Sequence, residues 1–177
     1  MRHPLAVDGS SGGVTSTSGE PGASVVSPWP GSPDVDVTPP DEPSTANGWR
    51  IEPRGLYEVL DRVRRDYPDA PPLVVPECGA AFRDKVAPDG RVDDPGRVAF
   101  LDAHLRAALD AVDDGVDLAG FYVWSFLDNF EWAEGYAHRF GIVHVDFDTQ
   151  LRTPKASAEW LASVIAAHGL DEEPATP

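Results

Sequence analysis

The sequence predicts an α/β fold on three observations. Apolar residues recur at helical spacing in three stretches, two short apolar runs fall between them, and Pro, Gly and Asp separate the segments. The resulting order of helix, strand, helix, strand, long loop and helix is that of a parallel sheet joined by crossover helices.

Pro53 occupies an allowed first helical turn, and Leu56, Val59, Leu60, Val63 and Tyr67 follow at helical spacing, which predicts a helix over 53–66. Pro68, Pro71 and Pro72 stop it. Leu73, Val74 and Val75 then read as a buried strand that ends at Pro76 and Glu77. The polar, turn-rich segment AAFRDKVAPDGRVDDPG predicts a covering loop, unusually long for a compact fold. Asp94 is the expected cap of a second helix opening at Pro95, with Val98, Leu101, Leu105, Ala108, Leu109 and Val112 on one face and Gly115 as its break. GFYVWSF, residues 120–126, reads as a central strand buried on both faces.

The 28 residues that follow form an excursion, in which the alternation from Ile142 to Phe147 predicts one short strand. Thr153 and Pro154 are the expected opening of the last helix, with Trp160, Leu161, Val164 and Ile165 inward and Gly169 as its C-cap. Two strands do not close a parallel sheet, and a (β/α)8 barrel takes about 250 residues. Two architectures therefore fit: a small atypical α/β domain, or the C-terminal piece of a larger barrel.

Composition narrows the partners. The 177 residues carry 14 Lys and Arg against 30 Asp and Glu, a net charge of -16, which argues against nucleic acid or an anionic membrane surface. No run of 18 apolar residues and no secretory leader is evident, so a soluble, cytoplasmic chain without a membrane partner is expected. Residues 1–46 contain eight Pro, six Gly, eight Ser and a single Arg, and predict a loop or disordered segment. Order is expected from about Asn47 to Gly169, followed by an acidic tail over 170–177.

Two places carry candidate chemistry. Glu77 follows an apolar strand and precedes Cys78 and Gly79; it reads either as a solvated turn glutamate or as a carboxylate at the C-terminal end of a sheet strand, where α/β active sites form. The glycine permits a tight backbone turn beside a ligand. Trp124, Asp128, Asn129, Glu131, Trp132, Glu134, Tyr136 and Arg139 lie within 16 residues beyond the second strand. Aromatic faces beside carboxylates and amides suit a sugar, whose C–H faces stack on indole while its hydroxyls take directional hydrogen bonds. Ordinary aromatic packing under a loop and a protein-binding surface are the alternatives.

Cys78 reads as a small hydrophobe or, less readily, a thiol nucleophile. His104, His138, His144 and His168 show no metal-ligand spacing, and no glycine-rich phosphate loop is present, so neither metal nor cofactor is expected.

Four segments in order, NGWRIEPRGLYEVL, PECGAAF, WSFLDNFEWAEGY and RFGIVHVDFDTQLRTPKASAEW, resemble the C-terminal part of glycoside hydrolase family 1, the β-glucosidase family of retaining enzymes on a (β/α)8 barrel. The resemblance covers about 120 residues and implies a partial barrel, its strands seven and eight with flanking helices. It implies Glu77 as nucleophile, Trp124 as the platform under the sugar, Glu131 and Trp132 as partners of its hydroxyls, Phe140 as an aromatic wall, and Asp128 with Asn129 as supports. It also implies a cis Trp124–Ser125 peptide. Pro76 and Cys78 stand where the family usually has Thr and Asn.

Retaining glycosidases use a second carboxylate about 5–5.5 Å from the nucleophile, which the family draws from an Asn-Glu-Pro segment after strand four. The sequence contains no such segment, nor the family's upstream Asn-Tyr-Tyr segment; Glu42-Pro43 lies without a preceding strand. Met1 is therefore expected to fall inside the parent fold. The implied function is that of a truncated β-glucosidase acting on a β-glucoside or related β-glycoside, inactive alone and completed by the missing N-terminal part of the barrel. The alternative is a non-catalytic, sugar-binding or complementing fragment.

Overall fold

The computed structural model describes residues 43–172 and residue 175. The loop expected over 1–46 lies outside the described residues up to position 42, as does half of the acidic tail. From Pro43 the chain is held: the Ala46 N–H donates to the Ala81 carbonyl at 2.8 Å and the Thr45 N–H to the Trp49 carbonyl at 2.9 Å.

Helix α1 spans Pro53–Asp66, strand β1 Leu73–Cys78, helix α2 Pro95–Asp113 and strand β2 Leu118–Val123. A single 3-10 turn at Trp132–Glu134 precedes strands β3, Val143–Val145, and β4, Arg152–Pro154, and helix α3 closes the order at Ala156–Ala167. β1 and β2 pair in parallel, with Val75 opposite Phe121 and Cys78 opposite Val123; β3 and β4 form a separate antiparallel pair. This is a partial, unclosed α/β arrangement of two small sheets and three helices. No described helix is long and apolar enough to cross a membrane.

The helices α1 and α2 begin at Pro53 and Pro95, as expected. Proline at the first turn sacrifices no intrahelical hydrogen bond and presets φ. Their inward faces differ from the expected ones, because α2 serves two cores. Its C-terminal half sets Ala108 and Ala111 against Leu60, Val75 and Val116, while Phe100 and Leu101 join Ala80, Ile142 and Val143. Val59, Leu109 and Val112, expected inward, are exposed.

β1 runs through Pro76 and Glu77, where its end was expected, one residue further to Cys78, with a register irregularity between Val75 and Cys78 where proline supplies no N–H. β2 starts and ends earlier than expected. Ser125 turns away because its N–H donates to the Phe140 carbonyl at 3.3 Å and its carbonyl accepts from Ile142 N at 2.9 Å. The Trp124–Ser125 peptide is cis.

Thr153 and Pro154 do not open the last helix. They lie extended in β4 opposite His144 and Val143, and α3 starts at Ala156. Ile165, expected inward, is 64% exposed, and the left-handed residue ending α3 is His168 rather than Gly169. Side chains on β1 and β2 alternate, so α1 and α2 cover Val75 while Val74 and Tyr122 on the other face are 48% and 61% exposed. Parallel sheets are ordinarily covered on both faces.

Candidate active site

Parallel pairing brings Glu77 and Trp124 to the same end of adjacent strands. The Trp124 N–H donates to the Cys78 carbonyl at 3.0 Å, one position past the last strand pair. Gly79 makes this approach possible: a Cβ there would lie 1.5 Å from the Trp124 carbonyl oxygen. Its small size thus serves a backbone crossing. Glu77 is exposed. Burial pushes the neighbouring Cys78 thiol up to about 11, so it stays protonated near neutrality, and it packs against both cores as a small hydrophobe.

Beyond Trp124 the chain leaves the sheet through a narrow neck and returns. Outgoing residues 125–128 are hydrogen-bonded to returning residues 140–143: Asp128 N to the Val143 carbonyl at 3.0 Å, Val143 N to the Phe126 carbonyl at 2.9 Å. Gly141 lets the strands of the neck meet, since a Cβ there would lie 2.2 Å from Asp128 N. At the tip, Glu131 bridges Gly135 across the 3-10 turn. There the Trp124 indole Nε1–H donates to Glu131 Oε2 at 3.3 Å. The neck therefore joins two expected site residues seven positions apart.

The other expected residues divide. Trp132 stands out at 83% exposure with φ +42°. Phe140 is buried, its ring 5.9 Å from that of Trp49. Asn129 Nδ2 donates to Ser125 Oγ at 3.1 Å and to the Leu127 carbonyl at 3.0 Å, holding the turn below Glu131. Tyr136 sits between Phe130 and Phe147, with ring centroids 5.4 and 4.5 Å away, and Glu134 pairs with His138 at 3.1 Å.

Asp128 is the hub of a buried charge network. One oxygen accepts from Gly141 N at 3.0 Å and Lys155 Nζ at 2.8 Å; the other accepts from Arg139 at 2.6 Å and Val145 N at 3.3 Å. Lys155 also donates to Asp84 at 2.5 Å and to the Gly141 carbonyl at 2.6 Å. Arg97 takes both oxygens of Asp84, at 2.9 and 3.0 Å, and pairs with Asp94. Three carboxylates face three cations, so no charge of the network is buried without a counterion.

Asp94, expected as the cap of α2, makes no side-chain cap there and instead accepts from Ser157 N at 2.8 Å and Ser157 Oγ at 2.6 Å at the start of α3. Asp84, Arg97 and Lys155 drew no functional expectation from the sequence. The local signal was slight: Asp94 and Arg97 at i,i+3 read as a helix start, and the remaining partners are 13 to 71 positions apart.

Among the described residues, no group of three or more His, Cys, Asp or Glu side chains is arranged to hold a metal ion. His104 packs in the core, stacked on Phe100 at 3.9 Å with Nδ1–H donating to the Phe100 carbonyl at 2.7 Å.

Fold and site together define an α/β protein with an acidic, aromatic cluster at the C-terminal end of a parallel strand pair. A sequence model described as glycosyl hydrolase family 1 matches residues 15–170. The chain belongs to glycosyl hydrolase family 1. It is 49% identical over 132 residues to beta-glucosidase A of Thermotoga maritima, covering 75% of this chain and 29% of that protein. A bifunctional beta-D-glucosidase/beta-D-fucosidase of Bifidobacterium breve is 46% identical over 143 residues, covering 78% of this chain and 31% of its own length.

Among solved structures, the family 1 b-glucosidase from Thermotoga maritima superposes with a TM-score of 0.74 at 48% identity, over 76% of this chain and 30% of that one. The same enzyme in complex with noeuromycin gives a TM-score of 0.73 over the same shares. The chain thus spans about three tenths of the length of these relatives.

Proposed function

We propose that this chain is the C-terminal part of a retaining β-glycosidase, with β1 and β2 as strands seven and eight of a (β/α)8 barrel and a β-glucoside or related β-glycoside as substrate. The observation that carries the reading is the juxtaposition of Glu77 with the Trp124–Glu131 pair at one end of a parallel strand pair, in a chain 46–49% identical to proteins named as β-glucosidases. Glu77, exposed and held by β1, attacks the anomeric carbon and expels the leaving group; water then resolves the glycosyl-enzyme. Trp124 offers its ring face to the sugar. Glu131 and Trp132 meet its hydroxyls, Phe140 walls the pocket, and Asp128 and Asn129 hold the loop beneath them.

A retaining mechanism needs a proton donor for the leaving oxygen, set about 5–5.5 Å from the nucleophile. The sequence has no Asn-Glu-Pro segment to supply it, so the donor comes from the remaining barrel units, which also cover the open face of Val74 and Tyr122. The chain alone hydrolyses aryl β-glucosides negligibly. A clear rate above background that disappears in Glu77→Gln would overturn this incompleteness.

A second reading, a non-catalytic sugar-binding fragment, is favoured by the Trp124–Glu131 pair being formed without the rest of the barrel. Glucose-dependent tryptophan fluorescence without turnover supports it. A folded sample that fails to respond to millimolar sugar counts against it.

A further inference from the structure

We propose that Lys155, remote in sequence from every residue of the glycoside site, is the positioning residue that brings Trp124 and Glu131 together. It does so by tying the backbone-paired neck of the loop between them to the segment that follows the nucleophile strand. The inference rests on the reading of that pair as part of a sugar site for its functional meaning, but its geometry stands apart from it.

Lys155 follows β4 and precedes α3, and its side chain is fully buried. An ammonium is tolerated there only if acceptors take its hydrogens. It has three, each from a different segment. Asp128, at 2.8 Å, is the end of the outgoing neck; the Gly141 carbonyl, at 2.6 Å, belongs to the returning one; Asp84, at 2.5 Å, lies in the loop that follows β1 and Glu77. The backbone adds a fourth tie, since Lys155 N–H donates to the Ile142 carbonyl at 2.9 Å.

No other group in the network spans these segments. Arg139 touches Asp128 and the Val145 carbonyl, and the side chain of Arg97 touches Asp84, Asp94 and the Arg139 carbonyl. Among the described residues, only the Lys155 ammonium bonds both sides of the neck and the loop leaving the nucleophile strand. Trp124 precedes the neck and Glu131 lies three residues beyond its outgoing limb, so the neck is the stem that carries their 3.3 Å contact. Lys155 touches neither residue and acts through Asp128 and Gly141.

The test uses the full 177-residue chain labelled with 15N, reading the Trp124 indole N–H resonance by NMR. Trp124→Phe identifies that signal by its loss, and Glu131→Ala marks its position without the carboxylate partner. In Lys155→Met the Trp124 signal moves to the Glu131→Ala position while the far-UV circular dichroism is retained. The variant Asp84→Asn/Lys155→Met removes one charge of each sign and keeps the network balanced, so it provides a folded sample if the single variant unfolds. It shows the same displaced resonance.

A Trp124 signal unmoved in either folded variant overturns the proposal. Loss of fold in both also overturns it, by assigning Lys155 to stability alone. Titration with methyl β-glucoside is a separate arm: no response in the wild-type chain overturns the reading of the pair as a sugar site formed in this chain alone and leaves the result on the neck standing.

Discussion

Gly79 and Gly141 are set by neighbours rather than by turn geometry. A methyl group at Gly79 would enter the Trp124 carbonyl and one at Gly141 the Asp128 amide. Gly79→Ala is expected to destabilise the chain by at least about 1–3 kcal/mol, the range for forced overpacking, as measured by urea unfolding. It also displaces the Trp124 indole resonance.

His104 gives a pH dependence with a definite sign. Desolvation lowers its proton affinity below the ordinary histidine value, against a smaller upward pull from the Phe100 carbonyl. A group with a lowered folded value contributes stability that is fully present above the ordinary value and is lost as pH falls through the lowered one. His144 is shifted in the same sense, chiefly by desolvation and by Arg139. The thermal midpoint is therefore expected to fall between pH 7.5 and 5.5, and His104→Phe to flatten that fall.

The elements differ in how far sequence alone reveals them. Pro53 and Pro95 mark helix starts through their own covalent geometry, so α1 and α2 were legible to the residue. β4 was not. Thr153 and Pro154 have the chemistry of a helix opening, and only the pairing of Thr153 with His144 makes them extended. β2 was carried too far at its C-terminal end because Trp124 and Phe126 are as aromatic as the strand before them; the neck claims Ser125 and Phe126 through Phe140, Ile142 and Val143.

In the candidate site, the closeness of Trp124 to Glu131 was legible because both lie within one recognisable segment. Lys155 and Asp84 were not, since a lone cation after a proline and an aspartate in a polar loop look like solvent-facing residues until tertiary contact joins them. Within α2, Leu101 is fully buried against the neck strands. Leu101→Ala is expected to cost about 2–5 kcal/mol in urea unfolding, and to perturb Ile142 and Val143 more than the α1 side of the core.

At the scale of the whole molecule, one side is closed and the other open. α1 and α2 cover one face of β1 and β2, while Val74 and Tyr122 on the opposite face meet solvent. Mixing the chain with the N-terminal part of a homologous β-glucosidase is expected to bury these residues and generate aryl β-glucosidase activity. Glu77→Gln in this chain abolishes the gained rate. Stable association without any activity, in a mixture whose N-terminal partner is folded, counts against Glu77 as the nucleophile donated by this segment.

The charge network bears on how such proteins exchange parts. All six of its ionic members, from Asp84 to Lys155, belong to one continuous stretch of chain. In recombination with a family member that lacks one of these residues, a crossover before Asp84 or after Lys155 transfers the set intact, whereas one placed between Asp128 and Arg139 divides it. Chimeras joined at the outer points should fold in greater yield than those joined inside the stretch, because a divided set strands a buried charge without its counterion.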